Sequence, residues 1–478
     1  MTLPAAASPR LALVRIAPWG ELPVAHPHDL MWPIQMLYAA SLARSKGWTT
    51  RVLDLHVEPL TEPELPRALL SFGPELVVLD TTTPTMGLAR RLARSLRQER
   101  PGLPIWAVGQ QASALPESFA DDELFSGCIR GEYELALMDV LDGKVTSVRG
   151  SSPGSGVEAA GEEIPIHITP LESLPRLEPE GISIGAYRLR SMHVRSRGRQ
   201  RWGFHLTSRG CPYNCIFCSP TLRQSHGRIF RAMPGEALAE DLARLSEAHG
   251  ITAFYLLDDL FTQDRGRVMD LCAARRRSAS LVPFFIQTRA DLLDSEMLSE
   301  LRSAGCAGVK IGVESGSDRI LAVLRKGATR DSLLKGARAV RRAGLTLTAC
   351  YMLGNPTETR EEIRETFRLA QEIDADMIQV AFHTPYPGSE SYRRYGSQIQ
   401  DPARLSHYDG DPLSVSLVPP TQLRWEQRLF YARYYGFPSG MWRYLTRRAP
   451  YRLTDPDEWR LWWEVVRLWL RWPGGTAP

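Results

Sequence analysis

Two stretches of this chain alternate short apolar runs with helix-spaced segments, and a stretch rich in glycine, serine and proline separates them. This alternation constrains the fold more than any single residue. A buried parallel strand reads as a continuous apolar run, and it needs a crossover helix before the next strand. In the first stretch Leu11–Ile16, Arg51–Leu55, Leu76–Leu79 and Ile105–Val108 read as strands, with helical spacing over Ile34–Ser45 and Gly87–Arg97. The pattern predicts an α/β unit over residues 1–145: an open, Rossmann-like, doubly wound parallel sheet. Ligands of such sheets bind past the carboxyl ends of the strands, here Pro18-Trp19-Gly20, Asp54–His56, Thr81-Thr82-Thr83 and Gly109-Gln110-Gln111.

Residues 146–201 change character. Gly150-Ser151-Ser152-Pro153-Gly154-Ser155-Gly156 has linker composition, and the prolines from Pro165 to Pro179 suggest an extended strap. Over residues 202–395 the alternation returns. Gly203–Thr207, Ala253–Leu257, Phe284–Thr288, Gly308–Val313, Thr346–Leu353 and Met377–Phe382 are six candidate strands, each followed by a helical pattern. Six such units predict a full or partial βα-barrel with its active site at the carboxyl-end loops. Residues 396–478 read as a helical domain holding seven of the twelve tryptophans.

Composition excludes more than it selects. A chain of 478 residues exceeds one ordinary core, and roughly three domains are expected. At a net charge of +4 there is no case for nucleic acid as a partner. No basic start with a long apolar run marks secretion, and no run approaches a membrane span. Seven cysteines in so long a chain do not make a disulfide framework, which points to a reduced, cytoplasmic setting.

Three of those cysteines stand together in Ser208-Arg209-Gly210-Cys211-Pro212-Tyr213-Asn214-Cys215-Ile216-Phe217-Cys218, directly after the first strand of the second stretch. Thiolates are the natural ligands of iron–sulfur clusters. Three thiolates on one bent loop can hold three irons of a cubane and leave the fourth open to substrate. The competing chemistry is a structural zinc site, for which His205 or His226 would supply the fourth ligand.

The spacing C-x3-C-x2-C, with the aromatic Phe217 before the last cysteine, resembles the radical S-adenosylmethionine (radical SAM) superfamily over about residues 202–395. The resemblance implies a 4Fe–4S cluster on Cys211, Cys215 and Cys218. The open iron would be chelated by S-adenosylmethionine, which is cleaved to a 5′-deoxyadenosyl radical. It further implies cofactor contacts at Phe217, at Asp258 and Asp259 (near the methionyl amine), and at Arg289, Glu314 and Gly354. Arg289 could instead pair with Asp291. Leu353-Gly354-Asn355-Pro356-Thr357-Glu358-Thr359 resembles the superfamily's Gly-x-Pro-x-Glu-Thr turn, whose Pro and Thr are read as loop-shaping and helix-capping. Thr384-Pro385-Tyr386-Pro387-Gly388 resembles its Pro-x-Pro-Gly segment.

An open sheet before such a barrel resembles the cobalamin-dependent branch of the superfamily. On that resemblance Thr81, Thr82, Thr83, Gly109, Gln110, Gly131 and Glu132 would contact cobalamin, although Gln110 and Tyr133 depart from the branch's usual glycines. Asp54-Leu55-His56-Val57-Glu58-Pro59 imitates the cobalt-ligating Asp-x-His-x-x-Gly motif, but it follows the second strand and has Pro for Gly. A cobalt without a protein ligand is therefore expected over one bound by His56. The alternative for the whole unit is a degenerate sheet kept as scaffold.

The function implied is methylation of an unactivated carbon of a small molecule, possible substrates including large apolar ones. The adenosyl radical would abstract hydrogen, methylcobalamin would supply the methyl group, and an external flavodoxin- or ferredoxin-type protein would supply the electron. Two molecules of S-adenosylmethionine would be consumed. A non-methylating cyclisation or rearrangement is the alternative within the branch, and a zinc-containing binding module the alternative outside it. A methylthiotransferase is disfavoured, because no second cysteine cluster stands in the first 145 residues. Trp459, Trp462, Trp463, Val466, Trp469 and Leu470 have helical spacing and read first as a helix packed on the barrel; a substrate wall or an interfacial helix are the other readings.

Overall fold

The computed structural model describes residues 8–17, 30–58, 60–120, 122–145, 167–189, 200–218, 225–278, 281–399, 405, 407 and 415–436. The Pro18-Trp19-Gly20 strand end, the Gly/Ser linker and the tryptophan-spaced segment at 459–470 lie outside the described residues.

The first unit is a five-stranded, wholly parallel sheet of β1 (Arg10–Arg15), β2 (Thr49–Asp54), β3 (Leu76–Asp80), β4 (Ile105–Val108) and β5 (Gly127–Cys128), in the order β2-β1-β3-β4-β5. Side chains alternate across it. Ala12, Val14, Val77 and Leu79 face one buried layer with Leu88, Leu92 and Leu96 of helix Met86–Glu99. Leu11, Leu13, Val78 and Trp106 face the other with helices Ile34–Ser45 and Tyr133–Leu141. Two covered faces explain why the strands read as unbroken apolar runs. The order reverses direction between β1 and β3, so a ligand crevice opens beyond Arg15 and Asp80.

In the second unit β6 (Trp202–His205) is followed by a short hairpin of β7 (Ser208–Arg209) and β8 (Arg231–Ala232). Then come β9 (Ala253–Leu256), β10 (Phe284–Arg289), β11 (Cys306–Glu314), β12 (Thr346–Leu353) and β13 (Met377–Phe382). Strands β6 and β9 to β13 form one parallel sheet in sequential order, the (βα)6 arrangement of a partial barrel. Helix Pro420–Tyr435 guards its edge. The Ile378 and Val380 backbone amides donate to the Tyr435 and Tyr431 hydroxyls, so β13 does not present a free row of donors.

The two units share one core. Trp32, Ile34, Leu37 and Tyr38 of the first unit, and Leu177, Ile184, Tyr187 and Leu189 of the strap, are buried in the same cluster as the barrel's Phe204, Phe254 and Leu256. No helix among the described residues is long and apolar enough to cross a membrane.

Candidate active site

Cys211, Cys215 and Cys218 lie on the loop between β7 and β8, at the carboxyl end of the barrel strands. All three are partly accessible, whereas Cys128, Cys272 and Cys306 are buried. The described part of the loop is tethered at several points. The Cys211 amide donates to the Gly227 carbonyl (3.1 Å), Ile216 N to Leu324 O (3.1 Å), and Cys218 N to Cys215 O (3.3 Å). Gly210 is required where the chain enters the loop: its φ is +86°, and a Cβ there would stand 2.0 Å from the Ile229 carbonyl oxygen. Phe217 packs partly buried against the small apolar group of Ile216, Ile320, Leu324 and Met352.

The acidic pair after β9 divides its work. Asp258 is fully buried and accepts from Thr207 N (2.5 Å), Ser208 N (2.9 Å) and the Thr207 hydroxyl. Arg267 stands 3.6 Å away and also donates to Thr207 Oγ1. Asp258, expected beside the methionyl amine, is thus committed to the root of the cysteine loop. Asp259 remains reachable by solvent and has no hydrogen-bond partner among the described residues. Burial, and then the Asp258 charge, push its carboxyl up to about 7. An approaching ammonium group would restore its charge.

Arg289 takes the second of its two expected partners. Its guanidinium forms a two-point pair with Asp291 (3.0 and 2.8 Å) and lies 3.8 Å from the centre of the Tyr213 ring within the cysteine loop. Glu314, at the end of β11, pairs with Lys326 at 2.9 Å. Burial works against the Lys326 charge, but Glu314 and the Cys215 thiol outweigh it and raise its pKa. Lys326 therefore brings a buried positive charge to the loop, and sequence reading missed it. Its only signal is rarity, since the chain has five lysines.

The Gly354 amide is bound by Glu358 Oε2 (2.7 Å), which also accepts from Asn355 N (3.1 Å). Thr359 caps helix Arg360–Ile373 through a reciprocal box with Glu362, as its sequence context predicts.

At the crevice of the first sheet the expected contacts separate in the same way. Thr81 is buried and its hydroxyl donates to Val108 O (2.8 Å); Thr83 donates to Gln111 Oε1 (2.8 Å). The Gly131 amide donates to Ser113 Oγ (3.0 Å), and Glu132 is fully buried against Arg231 and His226. Thr81, Glu132 and Gly131, expected at the ligand face, are instead turned into the protein because their polar groups close loop and domain contacts. Thr82, Gly109 and Gln110 stay partly accessible. Glycine is required at 109, where φ is +92° and a Cβ would lie 2.0 Å from Asp80 Oδ1. Asp80 itself is pushed up to about 6 by burial, against the Arg15 charge.

The radical SAM superfamily model matches residues 206–370, and the B12-binding domain model matches residues 21–141. The chain thus joins a B12-binding domain to a radical SAM domain, the pairing expected of the cobalamin-dependent branch. An uncharacterised methyltransferase of Pyrococcus horikoshii is 25% identical over 405 residues, covering 80% of this chain and 86% of the relative. The anaerobic magnesium-protoporphyrin IX monomethyl ester cyclase of Rubrivivax gelatinosus is 23% identical over 384 residues, covering 77% of this chain and 67% of the cyclase. Among solved structures, the cobalamin-dependent S-adenosylmethionine radical enzyme OxsB, with aqua-cobalamin and S-adenosylmethionine bound, matches with a TM-score of 0.68 at 17% identity. That match covers 96% of this chain and 71% of OxsB, and at such identity it is a likeness of fold.

In the radical SAM region the donor set fits a cubane better than a single zinc ion. No three His, Cys, Asp or Glu side chains among the described residues converge as they would round one metal ion. A cubane does not require this, because each thiolate takes a separate iron. The two histidines that could complete a zinc site are occupied elsewhere. His205 faces Asp241 (3.4 Å) and His226 faces Glu132 (3.0 Å).

Proposed function

We propose that this chain methylates an unactivated carbon of a small-molecule or natural-product intermediate, with a 4Fe–4S cluster, S-adenosylmethionine and cobalamin as cofactors. The observation that carries the reading is the pairing of three accessible thiols on one anchored loop with an open crevice at the strand ends of a docked second sheet. When bound, the cofactors supply a 5′-deoxyadenosyl radical on the barrel side and a methyl group on the sheet side.

The chain's own residues bind and orient. Cys211, Cys215 and Cys218 hold three irons. Asp259 meets the methionyl amine, with the charge on its carboxylate recovered on contact. The Glu314–Lys326 pair presents one acceptor and one donor to the polar end of the cofactor, while Arg289 braces Tyr213 and thereby the loop. Thr82, Gly109 and Gln110 line the crevice for a large flat ligand. His56 stands exposed at the end of β2. An external flavodoxin- or ferredoxin-type donor supplies the electron.

A second reading, ring closure or rearrangement without methyl transfer, is supported by the comparable coverage of the cyclase relative. Anaerobic reconstitution followed by reduction tests the first claim. Brown absorbance and 5′-deoxyadenosine are expected from the native chain, and both should vanish in Cys215→Ala. A colourless zinc protein would sink the reading. Incubation of candidate substrates with methyl-deuterated S-adenosylmethionine then separates the two reactions. A deuterated product supports methylation, whereas 5′-deoxyadenosine with an isomerised product supports the alternative.

A further inference from the structure

The cysteine loop is fixed from both sides of the molecule. Its ends are β7 and β8, paired antiparallel with Arg209 opposite Arg231, so residues 210–230 form the connection of a two-residue hairpin. The barrel holds this stem through Asp258, which binds the amides of Thr207 and Ser208. The first sheet holds it through the turn after β5. Arg231 makes a two-point contact with Glu132, Nη1 to Oε2 at 2.9 Å and Nη2 to Oε1 at 2.8 Å. Arg209 Nη2 donates to Glu134 Oε1 (2.6 Å), and its Nη1 stands 3.4 Å from Glu132 Oε2.

The strap and the loop close on the same carboxylate. Ile168 N donates to Glu132 Oε2 (2.6 Å), and the Ile168 carbonyl accepts from Arg231 Nη1 (2.6 Å). His226 Nδ1 lies 3.0 Å from Glu132 Oε1, and its carbonyl accepts from Arg231 Nη2 (2.7 Å). Glu132 and Glu134 are fully buried, and the Arg209 and Arg231 side chains are 1% and 7% exposed. Two carboxylates and two guanidinium groups cancel in charge, so the group tolerates burial as a set but not the loss of one member.

Apolar side chains of similar volume could bury this interface as well. What the ionic set adds is direction, because planar guanidinium forks accept a carboxylate in few orientations. That direction passes along a short path: Arg209 is two residues before Cys211, through the left-handed Gly210 pressed on the Ile229 carbonyl. We propose that Glu132 and Glu134 are positioning residues for the iron–sulfur centre: acting from the first domain through Arg209 and Arg231, they set the stem on which the three cysteines reach iron-binding geometry. The inference rests on the cluster reading above and adds that cluster geometry depends on domain docking.

Full-length Glu132→Gln and Glu134→Gln test it, with Glu178→Gln as the control. Glu178 pairs with Arg244 where the strap meets the barrel. In the metal-free proteins, hydrogen exchange of the amides at 208–218 should rise about tenfold in the two test variants and stay unchanged in the control. After reconstitution, the test variants should hold about half the iron of the native chain or less, and the electron paramagnetic resonance line shape of the reduced cluster should change. The double variant Glu132→Gln/Arg231→Met removes the charge imbalance without restoring the fork. It should regain thermal stability while exchange and line shape stay altered.

Folded Glu132→Gln with native exchange, iron content and line shape overturns the proposal. If Glu132→Gln does not fold, the double variant is read in its place, and a native cluster there overturns it. If the native chain takes up no cluster, the underlying reading fails, while the exchange measurement still judges the clamp.

Discussion

Two acidic motifs flank the cysteine loop, Asp258-Asp259 on the barrel and Glu132-Tyr133-Glu134 on the first sheet. Both resemble cofactor contacts, and both turn most of their charge to the same structural task. Asp258 grips the backbone before the loop through amides and a hydroxyl. Glu132 and Glu134 grip the same stem through arginine side chains. The difference lies in what is left over. The barrel motif keeps one residue, Asp259, partly accessible and without a hydrogen-bond partner among the described residues, while the sheet motif keeps both of its carboxylates buried. A site that binds a cationic cofactor needs a spare carboxylate, and a domain joint needs none.

The comparison breaks hardest at Asp258. Asp258→Asn removes the charge facing Arg267 and leaves the Thr207 hydroxyl without its acceptor at the loop root, at a cost of about 3–5 kcal/mol, the range for unpairing a buried ion. Urea unfolding of the metal-free chain measures it. A loss below about 1 kcal/mol would show that Asp258 is not the anchor described here.

How much of this is legible in the sequence depends on distance along the chain. The cysteines, the Thr359 cap and the strand order of the barrel involve local spacing or consecutive units, and each is readable. The end of β6 is not: the apolar pattern runs to Thr207, but the strand stops at His205 because Thr207 is turned to Asp258. A two-residue strand such as β5 carries no period at all. The clamp joins Glu134 to Arg209 and Glu132 to Arg231, pairs 75 and 99 residues apart, and no local pattern marks an ion pair that only the assembled fold creates. For the same reason the motif residues Asp258 and Glu132 read as cofactor contacts. A motif tells which residue types are present, and the neighbours decide which way a carboxylate faces.

Asp259 gives the converse test. Asp259→Asn should not lower the urea stability of the metal-free chain, because no partner is lost, and should raise it towards neutral pH, because the cost of burying the charge is removed. It should weaken S-adenosylmethionine binding to the reconstituted, unreduced protein about tenfold or more, as expected for one charged hydrogen bond. Equilibrium dialysis reads the second effect. Native affinity in Asp259→Asn would remove the functional distinction between the two aspartates.

A last comparison sets an arginine-paired carboxylate against one held by amides. Burial opposes the charge on Glu132, but His226, Arg231 and Arg209 outweigh it and hold its pKa well below the ordinary range. Glu358 is equally buried, but its partners are the Gly354 and Asn355 amides and the Asn355 side chain, and burial pushes it from 4.5 to about 7. A raised carboxyl pKa favours the fold only while the group is protonated. The Glu358 contribution is therefore complete below pH 4.5 and is lost as the pH rises towards 7. Between pH 8 and pH 5 the native chain should gain up to about 3 kcal/mol more stability than Glu358→Gln, whose neutral amide stands in for the protonated acid. Urea midpoints of the two proteins across that interval check the sign as well as the size. Parallel profiles would mean that Glu358 ionises as an ordinary carboxylate and that amide hydrogen bonds alone hold a buried charge as well as arginine does.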